Sequence, residues 1–240
     1  FLYLSQMGAQ VVHVSRVAGA VSEDPATLSL GKMSMSLDLK SREGVAVLRR
    51  MLKNADVLLD PFRPGVLEKM GRDSHVWVAN GIPLVIVARI TGWGQTGPMA
   101  QAAGHDINYI GNTGLLDLQA GPASAPVVPP MLAADIAGGS FPAVINILLA
   151  LRARDQTGHG CHIDIAMSDA MFTFGWAALA IGAATGKFPK PGEMWLVGGS
   201  PRYQLYPTKD GKLVACGALE PKFWVAFTKA IDTQSAVRID

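Results

Sequence analysis

Cysteine is nearly missing from these 240 residues, and its scarcity excludes several classes of protein at once. Cys161 and Cys216 are the only two. Two thiols far apart in the chain make neither a disulfide scaffold nor a zinc-ligand set, so a reducing compartment is the default. Charge is also sparse, at 17% of residues with a formal net charge of +2. No dense basic stripe follows the chain, which argues against a nucleic-acid footprint and leaves only small anions as expected charged ligands. No basic segment followed by an apolar one opens the sequence, so no secretory leader is visible. The most apolar stretches, Phe141 to Leu151 and Met171 to Ala184, are interrupted by Gly, Pro, Asn or Thr. They fall short of a clean membrane span and are expected to be buried core helices, with no membrane partner. Also lacking are a GxxxxGK[ST] loop, a GxGxxG turn between strand and helix, a GxSxG elbow and HExxH metal spacing. A nucleotide-hydrolysing, dinucleotide-binding, serine-hydrolase or metalloprotease site therefore has no motif support.

What is present is hydrophobic substance in an alternating order. Nearly half the residues are apolar, enough for a sizeable core. Val11 to Val14, Met33 to Leu37, Asp56 to Leu59 and Leu84 to Ile90 have the look of buried strands. A helix capped by Ser41, with Val45, Leu48, Met51 and Leu52 at helical spacing, and a short helix from Val66 to Met70 ending at Gly71 alternate with them. Strands alternating with helices predict a parallel α/β sheet, a large Rossmann-like domain. FLYLSQMG has the form of the last turns of a helix closing at Gly8, and the chain is expected to be an excerpt of a longer protein. Further on, a short helix is expected after Gly104, a long apolar helix from Asp135 to about Arg154, a strand over Cys161 to Met167 and a second apolar helix from about Asp169. The aperiodic stretch Gly186 to Tyr203 is expected to be a linker. Tyr203–Tyr206 and Lys212–Cys216 flank Lys209-Asp210-Gly211 as a hairpin, and Pro221 opens another helix. The expected division is residues 1–167 as the large α/β domain, 168–200 as helix and linker, and 201–240 as the beginning of a smaller α+β domain.

Few residues could carry chemistry. His105, between Gly104 and Asp106, is either an exposed titratable imidazole or a capping histidine of a loop. His13 sits on a strand and is expected to be structural. His75, His159 and His162 carry no partner signal, and no metal site is expected. Asp135 precedes Ala137-Gly138-Gly139-Ser140 and serves equally as a helix N-cap or as a carboxylate at a helix start that a ligand could approach. Glu220 before Pro221 is open to the same two readings. Arg16, Lys32, Lys40, Arg63 and Lys69 could hold a phosphorylated ligand or could be solvated surface charges.

An ordered set of short stretches narrows the choice. Met7-Gly8-Ala9-Gln10-Val11-Val12, Leu37-Asp38-Leu39-Lys40, Phe62-Arg63-Pro64-Gly65-Val66 and Thr91-Gly92-Trp93-Gly94-Gln95-Thr96-Gly97-Pro98 come first. Gly104-His105-Asp106, Ala134-Asp135 and Gly158-His159-Gly160 follow. Together they resemble the successive signatures of the class III CoA-transferase family (CaiB/BaiF type), over essentially the whole chain. Within it, the histidine of GHDINY resembles the α-methylacyl-CoA racemase branch. The resemblance implies His105 and Asp135 as two bases facing each other across C2 of a 2-methylacyl-CoA thioester, with Glu220 supporting the histidine. It implies Arg16, Asp38, Lys40, Arg63, Lys69, Gly92, Asp106 and Tyr109 as ligand-binding positions, and no cofactor, the CoA thioester being the substrate. It further implies an interlocked homodimer, lipid or fatty-acid metabolism, and a cytoplasmic location in a bacterium or a peroxisomal or mitochondrial one in a eukaryote. Met131 stands where the racemases carry Asn, four residues before the aspartate. Two alternatives accompany this reading: a CoA transferase with Asp135 as nucleophile, and an inactive paralogue that binds acyl-CoA.

Overall fold

The structure is a computed structural model that describes residues 2–17, 26–69, 82–119 and 125–231. His75, Met70 and Gly71, on which sequence expectations fall, lie outside the described residues, as does the side chain of Lys69. The chain divides into two compact units, residues 1–109 with 132–171, and residues 110–131 with 172–240.

In the first unit all the strands run parallel. A short helix, α1 (Leu2–Gln6), leads into β1 (Val11–Ser15), which pairs with β2 (Lys32–Ser36). Helix α2 (Arg42–Leu52) follows, then β3 (Val57–Asp60), α3 (Val66–Lys69), β4 (Ile86–Thr91) and, much later, β5 (His162–Ala166). The last three strands form one sheet in the order β3-β4-β5. The expected strands are thus all present, with ends moved by one or two residues, as helix and strand boundaries commonly are.

Residue alternation on β3 and β4 decides which face each side chain joins. Val85 and Val87 pack with Leu48 and Leu52 of α2, and Leu58 joins them. Ala88, one step out of phase, packs with Ala143, Ile147 and Ile165, and Val57, Leu59 and Ile90 join that side. The central strand is therefore covered on both faces, which is why its sequence is a continuous apolar run. Ser41 caps α2 as expected: its Oγ accepts the Gly44 amide at 3.0 Å, and Leu48 and Leu52 fall on the helix's one buried stripe. Gly44 has no room for a side chain, because a Cβ there would strike the Asp38 carbonyl.

Between β1 and β3, which are not hydrogen-bonded to one another, lies a cleft of about 860 Å³ lined by Val11, Val14, Leu58, Leu59 and Ile147 among others. The long helix differs from expectation in two ways. It begins as a π-helical stretch, Ala134–Ser140, and continues as α6 (Phe141–Thr157). These 24 residues are together long and apolar enough to cross a membrane by length and composition alone, a test that core helices of α/β domains also pass. Nor is the helix buried all round. Ala143, Val144, Ile147 and Ala150 are covered, whereas Phe141, Ile145, Leu148 and Leu149 are exposed, the last at 59%.

The second unit holds Ile110 to Met131 and the C-terminal part. The expected second apolar helix is split into α7 (Met167–Met171), which belongs to the first unit, and α8 (Trp176–Thr185). In α8 only Ala178 and Gly182 are buried, so it too is covered on one side and is not a buried core helix. The aperiodic stretch contains one 3-10 turn, Trp195–Val197. The hairpin is as expected, β6 (Tyr203–Pro207) antiparallel to β7 (Leu213–Gly217), and Pro221 opens a helix that ends at Ala230. Trp224, Cys216 and Ala218 form its core, and the Trp224 ring stacks on Phe227 at 5.7 Å between centroids.

Candidate active site

Parallel strands in this architecture deliver their functional residues at their carboxyl ends. The loop leaving β4 at Thr91 is built to hold a shape. The Thr91 Oγ1 accepts the Gly94 amide at 3.0 Å, Asp164 of β5 accepts the Gln95 amide at 2.9 Å, and the Gly92 carbonyl accepts the Ser168 amide at 3.0 Å. The Trp93 ring meets Tyr109 edge-on at 4.9 Å. Tyr109 then donates its hydroxyl to the Gly104 carbonyl at 2.6 Å, one residue before His105. Gly92 must be glycine, since a Cβ would collide with the Tyr109 ring. The indole N–H of Trp93 and the side-chain amide of Gln95 are buried without a hydrogen-bond partner among the described residues, as happens where a ligand or water completes the set.

His105 opens the helix α4 (Asp106–Asn112). Its carbonyl accepts the amides of Asn108 and Tyr109, and its own amide donates to the Asn108 side chain at 2.9 Å. That is the reciprocal half of a capping box, with Asn108 in the role of the usual Glu or Gln. The backbone of His105 and the Asn108 amide therefore do the capping. The imidazole has no part in it and is exposed.

Asp135 reaches this loop from a different element, the π-helical stretch. It is not the N-cap: Ala133 holds that position without a side-chain bond, and Asp135 lies in the first turn. Its amide donates to Oδ1 of buried Asp106 at 2.9 Å, so the residue next to His105 fixes the backbone of Asp135. The π-helical register is supported by Ser140, whose hydroxyl donates to the Asp135 carbonyl five residues back at 3.2 Å. Gly138 and Gly139 let the widened turn lie against Met167 and Met171. Such π-turns are frequent at functional positions.

Electrostatics ties these residues into one neighbourhood. Burial raises the Asp135 carboxyl above its ordinary range, the nearby Asp106 carboxylate adds to the rise, and His105 opposes it. The Tyr109 phenol is pushed up by burial and by Asp135, with Arg63 working against the rise. Asp106, Tyr109 and Asp135 are thus drawn together around His105 by the bonds of Asp106 and Tyr109.

Other expected positions lie elsewhere. Arg16 and Lys40 are exposed at the carboxyl ends of β1 and β2, and neither forms an ion pair among the described residues. Asp38 accepts the Lys40 amide at 2.9 Å, and with the Ser41 bond to its carbonyl it shapes the entry to α2. Lys32 begins β2 and His13 is half-buried on β1. Glu220 is exposed at the start of the Pro221–Ala230 helix in the second unit and makes no capping bond, and Met131 is exposed in that same unit. No group of His, Cys, Asp and Glu suited to a metal ion occurs among the described residues.

Sequence reasoning missed three charged residues. Arg89 on β4 pairs with Asp60, at 2.8 Å, and with Glu68, at 2.6 Å. The signal was an arginine inside the apolar run Ile86–Thr91, since a fully buried arginine needs partners.

The first unit is thus a parallel α/β domain with an exposed imidazole, a half-buried carboxylate and an unpaired arginine in the segments that follow its strands. The sequence matches the CoA-transferase family III over residues 2–238, and the chain belongs to that family. It is 39% identical to the α-methylacyl-CoA racemase of Mus musculus over 237 residues, 98% of this chain and 60% of the relative. It is 30% identical to the succinyl-CoA–L-malate CoA-transferase alpha subunit of Chloroflexus aurantiacus, over 95% of this chain and 56% of that one. The crystal structure of a CAIB/BAIF family protein from Brucella suis superposes with a TM-score of 0.79 at 31% identity, covering 96% of this chain and 64% of the other. The chain spans about 60% of the length of the racemase it matches.

Proposed function

We propose that this chain carries the large-domain half of a racemase site that interconverts the 2R and 2S forms of a 2-methylacyl-CoA thioester. The observation that carries the reading is the bond from the Asp135 amide to Asp106, which brings the aspartate, held by a separate element, beside the residue next to His105. Its likeness to the mouse racemase supports the same choice. One base removes the C2 proton, leaving an enolate whose negative charge the thioester oxygen takes up. The opposite group, protonated beforehand, returns a proton to the other face. The first backbone N–H groups of α4 are the available donors to that oxygen. A carboxyl held above its ordinary range is suited to alternate between acid and base, whereas a nucleophile gains from staying ionised. Arg63, with Arg16, Lys40 and Lys69, is assigned to the CoA phosphates, Glu220 to orienting His105, and the acting form to a homodimer.

A second reading, CoA transfer with Asp135 as nucleophile, draws on the likeness to a succinyl-CoA–L-malate CoA-transferase. The two are separated in the protein in its native form by C2 deuterium uptake from deuterated water into each pure enantiomer. Racemisation predicts that His105→Ala abolishes interconversion and confines residual exchange to one enantiomer, and that Asp135→Asn shows the opposite preference. Near-parental racemisation by His105→Ala overturns the two-base assignment. CoA exchange between two acids, with no deuterium at C2, makes the chain a transferase, and CoA-ester binding with neither activity makes it an inactive paralogue.

A further inference from the structure

The loop that carries Arg63 is tied down by charges that no sequence motif suggested. It runs from the end of β3 at Asp60 to α3, and turns at Gly65 with φ +85°. Three attachments hold it. The Asp60 carboxylate accepts the Phe62 amide at 2.9 Å, the Pro64 carbonyl accepts the Gln101 side-chain amide at 3.0 Å, and Glu68 on α3 binds Arg89. Asp60 and Arg89 are register partners on neighbouring parallel strands, so their side chains rise on the same face of the sheet. The Arg89 Nε lies 2.8 Å from Asp60, whose side chain is wholly buried, and its Nη1 lies 2.6 Å from Glu68, whose side chain is one-third exposed. One guanidinium therefore grips the loop at both ends, and its planar fork can do this where a lysine ammonium could not. Burial works against the Glu68 carboxylate, yet its hydrogen bond with Arg89 and the charge beside it hold it below the ordinary range.

The consequence falls on Arg63. It is exposed and makes no ion pair among the described residues, although two carboxylates flank its loop. Both of those acids are already engaged by Arg89. The Gln101 bond to Pro64 sets the Arg63 loop against the segment that leads to His105, and the Arg63 charge works against the rise of the Tyr109 phenol.

We propose that Arg89, with Asp60 and Glu68, is a positioning triad that fixes the Phe62–Val66 loop and leaves Arg63 free for a phosphate of the ligand. The proposal rests on the reading above only in taking that ligand to be a CoA thioester, and does not depend on which reaction follows. Arg89 is a positioning residue, acting through Arg63.

The test is equilibrium binding of free CoA and of pantetheine, which lacks the nucleotide phosphates, to the native protein and its variants. Arg89→Met is expected to weaken CoA about tenfold and to leave pantetheine unchanged, since a small displacement of a binding group is enough for a loss of that size. In an Arg63→Met background the same change should add nothing further, because the two residues act in series. Should Arg89→Met fail to fold, Glu68→Gln answers the question with the buried Asp60–Arg89 pair intact. Positioning predicts weaker CoA binding, and unchanged or tighter CoA binding on loss of this negative charge overturns it. Equal losses for CoA and pantetheine in a folded Arg89→Met protein, or a full additional loss over Arg63→Met, also overturn it. A parent protein that binds no CoA sinks the ligand reading itself. Binding of CoA that is indifferent to Arg89 sinks the triad alone.

Discussion

Asp135 is held in a place that suits chemistry better than stability. Burial and the Asp106 carboxylate both raise its carboxyl above the unfolded value of 3.8, with only His105 opposing. A carboxyl whose folded pKa is raised contributes stability below the unfolded pKa and loses it as pH rises through the folded one. Asp135→Asn is therefore expected to raise the thermal midpoint at neutral pH, and the gain should fade as pH falls toward 3.8. Calorimetry across that range checks the sign, and a midpoint lowered at neutral pH contradicts it. A gain in stability with loss of turnover is the expected trade at a functional carboxylate. The sequence drew attention to Asp135 and His105, but could not separate a cap from a base. The separation came from Asn108, whose side chain makes the capping bond to the His105 amide, and from Ala133, which holds the N-cap position before Asp135.

At the scale of elements, the loop from Thr91 to Asp106 is positioned by tight packing more than by its own bonds. Gly92 lies under the Tyr109 ring, and that ring holds Gly104 through its hydroxyl. Gly92→Ala should push Tyr109 aside and displace His105. The expected result is a fall in kcat of about 10²-fold, the scale associated with a displacement of about 1 Å, with little change in far-ultraviolet circular dichroism. Parental turnover by this variant would show that Tyr109 does not position His105. Ser41→Ala tests the opposite kind of dependence, a purely local one. Losing the bond to the Gly44 amide should cost about 1 kcal/mol in chemical denaturation and leave CoA binding unchanged. Both glycines sit in stretches that resemble family signatures or adjoin them, yet only the packing reveals why a side chain is forbidden there.

For the whole molecule, the notable quantity is apolar surface. The cleft between β1 and β3 is lined by apolar side chains, and Phe141, Ile145, Leu148 and Leu149 are exposed along one side of α6. Contiguous apolar surface of this kind associates. A protein made of these 240 residues alone is expected to bind a hydrophobic dye and to sediment as more than a monomer. An Ile145→Lys, Leu149→Lys double variant should shift it toward monomer with a change in stability of no more than about 0.5 kcal/mol per site, as for surface substitutions generally. A dye-silent monomer before mutation would contradict this. Family membership extends over residues 2–238, whereas activity, substrate and assembly are the proposals made above.

Periodicity in the sequence was sufficient for the alternation of strands and helices, the Ser41 cap, the turn around Asp210 and the helix after Pro221, because these are local patterns of a few neighbouring residues. It located His105, Asp135 and Arg63 through short stretches whose residue types resemble a family's. Only the tertiary structure revealed that Arg89 binds both Asp60 and Glu68, that Asp106 anchors the amide of Asp135, and that the long helix opens as a π-turn. Those features join residues 21 to 29 positions apart or depend on close approach to Met167. Pairings at that range are set by how β3, β4, α4 and α6 pack, and single-chain periodicity carries no record of them.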